Sequence, residues 1–115
     1  MIIKPEAMER EARPAMRGGK GTCTVTHLAG RKLQAHVKLF AEVLIPAGAS
    51  IGRHDHTAET EYYLILEGSG TVDDNGAETK VGPGDVVVTT GGAFHSIEAT
   101  DGKDIRMVAA IVTDA

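Results

Sequence analysis

Tryptophan is absent, and the aromatic side chains amount to two tyrosines and two phenylalanines. A core without large rings has to be assembled from Val, Ile, Leu and Ala, through many small contacts rather than a few aromatic anchors. A single cysteine, Cys23, rules out an intrachain disulfide and leaves no set of thiolates for a structural zinc site. It sits in the β-prone run Thr22-Cys23-Thr24-Val25-Thr26 and reads as a small buried hydrophobe, ahead of a nucleophile or a fifth metal ligand. A basic excess is also missing: 12 Lys and Arg against 16 Asp and Glu leave a formal charge of −4, which opposes nucleic-acid binding. The one basic cluster, Arg13, Arg17 and Lys20, is sparse and has no aromatic neighbours for base stacking. No apolar run approaches the roughly 20 residues of a membrane span. Met1-Ile2-Ile3-Lys4-Pro5-Glu6 has no apolar stretch of the signal-peptide kind. The expectation is a cytoplasmic protein with neither nucleic-acid nor membrane partners.

What the sequence does contain is turn signals between short β-prone runs. Residues 5 to 12 are good helix formers with Pro5 at their start, but Pro14 limits them to a helical turn. Arg17-Gly18-Gly19-Lys20-Gly21 reads as a flexible connection with no helix behind it to make a phosphate loop. From residue 22 onward strands are expected at 22–28, 38–45, 61–67, 70–73, 77–81, 85–90, 95–100 and 105–113. Asn75-Gly76 is a hairpin signal, because both turn positions favour positive φ. Gly82-Pro83-Gly84-Asp85 and Asp101-Gly102 mark further tight turns. This rhythm predicts an all-β sandwich or barrel over 22–115, preceded by an N-terminal arm over 1–21.

The chemistry concentrates in one region. His54-Asp55-His56 places two imidazoles at i and i+2, which share one face of an extended strand. Glu61 follows across a short loop, with Tyr63 two residues further on along the same face. His95 opens a later strand and reaches the others only if the sheet curls back on itself. Unpartnered His and Glu on apolar strands would be costly to bury, whereas a metal ion binds neutral imidazole nitrogen and ionised carboxylate together. His54, His56, Glu61 and His95 are therefore expected to hold one divalent transition metal, with Mn, Fe, Ni, Co, Cu and Zn all compatible with an N/O donor set. Tyr63, His27 and Glu42 are the candidates for a proton-moving group beside the metal. His27 otherwise reads as a surface or core residue, and Tyr63 and Phe94 as core or pocket wall. Arg53 reads as a surface charge pointing away from the metal, and His36 as a loop or strand-end residue.

These residues also carry a resemblance. Gly48, five residues, His54-x-His56, four residues, Glu61, six residues and Gly68 resemble the first cupin motif in full. Gly84, then Gly92, two residues and His95 resemble the second, with Thr90 where Pro is common and Ala99 where Asn is common. Neither departure falls on a metal ligand of the family. The resemblance spans residues 38 to 113 and implies a double-stranded β-helix, a jelly-roll barrel. It implies a metal with open positions for a small oxygen-rich substrate, carboxylate or sugar-like. The functional expectation is an enzyme of dioxygenase, isomerase, lyase or decarboxylase type; the alternative is a non-catalytic ligand-binding or sensor cupin. Many cupins of this size pair, so a homodimer is expected too.

Overall fold

The structure is a computed structural model, and it describes residues 1–114. Ten strands follow in order: β1 (Glu9–Pro14), β2 (Thr22–His27), β3 (Val37–Ile45), β4 (Ser50–Asp55), β5 (Glu59–Glu67), β6 (Gly70–Asp74), β7 (Ala77–Val81), β8 (Val86–Thr89), β9 (Phe94–Glu98) and β10 (Ile105–Thr113). They form a six-stranded sheet, β1-β2-β3-β10-β5-β8, and a four-stranded sheet, β4-β9-β6-β7. Neighbouring strands in both sheets run antiparallel. This is the all-β jelly roll that the spacing of turns and the cupin motifs imply. Among the described residues the only helical pieces are 3-10 turns at Pro5–Ala7 and Met16–Gly18, and no helix is long and apolar enough to cross a membrane.

The core lies between the sheets and follows the period-2 alternation of the strands. Across the larger sheet Ala41 pairs with Ala109, Ala109 with Tyr63 and Tyr63 with Val87, and all four are buried. From the smaller sheet Ile51, Val72 and Ile97 close the interior. Cys23 is fully buried on β2, as a small hydrophobe. The hairpin at Asn75-Gly76 forms as expected, with φ of 50° and 97° between the paired Asp74 and Ala77. Gly68 has φ of 79°, and a Cβ there would collide with the Asp104 carbonyl, so the turn after β5 requires glycine.

The helical turn expected within residues 5 to 12 forms only in part. Only Pro5–Ala7 forms a turn; Glu9–Pro14 is instead the edge strand β1, in register with β2 from Glu9 opposite His27 to Pro14 opposite Thr22. Six residues closed by a proline are too few to repay helix nucleation, so pairing with an available strand edge overrides local propensity. Met16–Gly18 then packs against β4, where Gly19 and Gly52 approach so closely that a Cβ on either would strike the backbone of the facing segment.

Candidate metal centre

His54 lies on β4, His56 one residue past its end, Glu61 on β5 and His95 on β9. Strand alternation alone does not achieve this. Ile51 pairs with Ile97 and His54 with His95, so β4 carries one residue more than β9 between those pairs. This bulge turns His54 to the inside, the same side as Ile51, and Arg53 to the outside. There the Arg53 guanidinium stacks over the Phe94 ring at 3.6 Å. Phe94 thus supports an exposed arginine and, with Arg53, His54 and Asp55, lines a cavity of about 330 Å³.

The four side chains meet at one point. One ligand atom from each lies within 4.8 Å of all the others. Glu61 Oε1 is 2.8 Å from His56 Nε2, 2.9 Å from His95 Nε2 and 3.4 Å from His54 Nε2. His95 Nε2 is 2.8 Å from His54 Nε2 and 3.1 Å from His56 Nε2. His56, Glu61 and His95 are buried, and His54 is partly exposed.

The other ring nitrogens decide what the cluster can hold. His54 Nδ1 donates to the Gly52 carbonyl at 2.8 Å, and His56 Nδ1 to Glu59 Oε2 at 2.5 Å. His95 Nδ1 is 2.8 Å from the Thr89 hydroxyl. Carbonyl and carboxylate only accept, so they fix the proton on Nδ1 and leave Nε2 of a neutral ring as a bare lone pair. The centre is then a knot of acceptors facing one another, a donor set that could hold a cation. Burial, opposed by Glu61, holds the His95 imidazole below its ordinary pKa and so disfavours protonation. Burial pushes the Glu61 carboxyl up, but positive charge at the facing His54 and His95 nitrogens, carried by their protons or by an ion in their place, outweighs it and brings it to about 2, so it is an anion at neutral pH. Three neutral imidazoles and one carboxylate suit a divalent transition ion and lack the oxygen-only shell of Ca or Mg.

Tyr63 lies beside this cluster, 2% exposed, its ring stacked on His95 at 4.9 Å and its hydroxyl 3.4 Å from His95 Nε2. Burial, reinforced by the Glu61 charge, pushes its phenol well above the ordinary value and keeps the proton on oxygen. His27 also faces inward, but it lies in the row of Ala41, Ala109 and Tyr63, three strands from Tyr63. At strand spacing that is about 14 Å. Its Nε2 pairs with Glu11 Oε1 at 2.8 Å, which places it outside the cluster. Glu42, the third proton-moving candidate, points outward and pairs with Arg106 at 3.1 Å. His36 sits at a positive φ of 72° before β3. Thr89, Glu59 and Lys38 support the cluster yet carry no motif signal; only the three-residue step from His56 to Glu59 hints at one of them.

Comparison with known proteins fits this geometry. The profile of the cupin domain family matches residues 41–111. An oxalate-binding protein from Thermotoga maritima is 37% identical over 113 residues, covering 97% of this chain and 93% of that protein. The crystal structure of a predicted oxalate decarboxylase from Thermotoga maritima superposes with a TM-score of 0.92 at 37% identity, over 98% of this chain and 99% of that one. A polyketide cyclase from Streptomyces resistomycificus has a TM-score of 0.76 at 19% identity, over 100% of this chain and 80% of its own, a likeness of fold alone.

Proposed function

The chain belongs to the cupin family, and on that premise we propose that it is a metal-dependent enzyme acting on a small oxygen-rich carboxylate. The observation that carries this reading is the convergence of three Nε2 atoms and Glu61 Oε1 with every Nδ1 already engaged. A bound divalent ion supplies Lewis acidity and coordination positions beyond the four protein ligands for substrate oxygens. The chain itself contributes orientation and exclusion of water. Val87, Tyr63 and Ala109 lie buried side by side across the sheet, and Tyr63 Oη would offer a hydrogen bond to a substrate oxygen held against the cluster. The names of the Thermotoga maritima relatives support oxalate, a compact dianion, as the first compound to test.

One observation favours the alternative, a non-catalytic binding cupin. The phenol facing His95 Nε2, that of Tyr63, is held protonated, which suits donating a hydrogen bond better than accepting a proton. Calorimetric titration of the metal-loaded protein with oxalate tests the ligand, and release of CO2 from oxalate tests the reaction. Binding with turnover supports the enzyme; binding without it supports the binding module. No binding contradicts oxalate as the ligand.

A homodimer is part of the proposal, and the outer face of the larger sheet supports it. Phe40, Tyr62, Leu64, Val86, Val88 and Val112 are 38–58% exposed there. Phe40, Ala110, Tyr62 and Val88 form one continuous row across β3, β10, β5 and β8. The six side chains expose roughly 500 Å² of apolar surface, at the upper end for the largest patch of a monomer. A standard interface takes about 800 Å² from each partner, so this patch with its rim of Glu42, Arg106 and Glu67 matches a second copy in size. Light scattering at micromolar concentration should give a dimer, converted to monomer by Tyr62→Glu; a monomeric wild type contradicts it.

A further inference from the structure

The three histidines of the cluster are supported unequally. His54 rests on a backbone carbonyl and His95 on a hydroxyl, both neutral. His56 rests on a carboxylate, and that carboxylate is itself held: Glu59 Oε2 accepts from His56 Nδ1, while Glu59 Oε1 accepts from Lys38 Nζ at 2.7 Å. The side chain of Glu59 is 12% exposed and that of Lys38 61%, so the chain runs from the buried cluster out to solvent.

Lys38 reaches Glu59 because of an irregularity in β3. Leu39 pairs with Ile111, and the next residue of β10, Val112, pairs with Val37, so Lys38 is skipped. An extra residue of this kind re-aims its side chain. Lys38 accordingly lies with His27 and Leu39 on the inward side, where these residues line a cavity of about 170 Å³, instead of joining Phe40 on the outer face.

We propose that Glu59 and Lys38 are positioning residues for the metal centre, with Glu59 setting the tautomer and donor strength of His56 and Lys38 holding Glu59 to that task. This rests on the metal reading above. A carboxylate behind a ligating imidazole fixes the ring, keeps Nε2 as the lone pair and raises its basicity. Without the ammonium the same carboxylate can turn to water or compete for the ion itself. Occupying one oxygen with Lys38 leaves the other for Nδ1. The competing role is purely structural: an ion pair tying β3 to β5, with no consequence for the metal.

The test compares wild type, Glu59→Gln, Lys38→Met and Lys38→Arg, each as the full chain. Two quantities are read: affinity for Co(II) and Zn(II) by chelator competition, and melting temperature of the metal-free protein. The visible absorption of the Co(II) form reports the ligand field independently of stability. Glu59→Gln should weaken metal binding by about tenfold to a hundredfold, the range typical of such supporting carboxylates, and shift the Co(II) bands. Lys38→Met should weaken it less, and Lys38→Arg should restore it. Affinity within about twofold of wild type and unshifted Co(II) bands in both Glu59→Gln and Lys38→Met would overturn the inference, even if both variants melt lower. A wild type that binds neither ion would overturn the metal reading itself, and this inference with it.

Discussion

Ile51 and His54 face the same interior although they stand three positions apart, because β4 carries one extra residue opposite β9. A regular strand would put them on opposite faces. The bulge brings His54 into line with His95, and it leaves the Gly52 carbonyl in place to accept from His54 Nδ1.

Gly52 is the point at which this arrangement is most sensitive. A Cβ there meets the Arg17 carbonyl oxygen and the Gly19 nitrogen, so Gly52→Ala forces the Met16–Gly18 turn away from β4. Overpacking of this kind costs about 1–3 kcal/mol. The variant should melt about 4–8 °C or more below wild type and bind metal more weakly, since the His54 support moves with the strand. Differential scanning calorimetry with and without metal reads both effects.

Tyr63→Phe separates ligand recognition from metal binding. The hydroxyl is not in the coordinating set, so metal content should be unchanged. A bound anion loses a hydrogen bond worth about 1–1.5 kcal/mol, close to tenfold in affinity. Unchanged oxalate affinity in an oxalate-binding wild type would remove Tyr63 from the site.

Acid should also act away from the metal, at Glu11. The Arg13 guanidinium, with His27 second, holds its carboxyl down to about 2 from an ordinary value of 4.5. A group depressed in the folded state stabilises above its unfolded pKa and loses that contribution as pH falls through the folded one. The melting-temperature gap between wild type and Glu11→Gln should be full above pH 4.5 and close as pH falls to about 2. A gap independent of pH across this range would show that the charge of Glu11 plays no part.

The four-residue cluster was legible in the sequence because its spacing is short-range for His54, His56 and Glu61, and because Gly92 and His95 belong to a recognisable pattern. The jelly roll followed from turns whose chemistry is local, such as Asn75-Gly76. What escaped depends on long-range register. The bulges at Gly52–Arg53 and Lys38 exist only in relation to β9 and β10. The strand Glu9–Pro14 has helix-forming residues and becomes a strand only beside β2. His27 alternates inward, yet three strands separate it from Tyr63, a distance that no linear pattern records.

The central claim is one metal ion held by His54, His56, Glu61 and His95. It is tested most directly by elemental analysis of wild type and of His54→Ala and His95→Ala, each paired with melting before and after chelation. The account predicts one transition-metal ion per chain in wild type, loss of it in both variants, and a chelator-sensitive melting temperature in wild type alone, because an ion bound only to the folded state adds to its stability. Metal retained at full stoichiometry in His54→Ala and His95→Ala, or a wild type that takes up no transition metal, would contradict it.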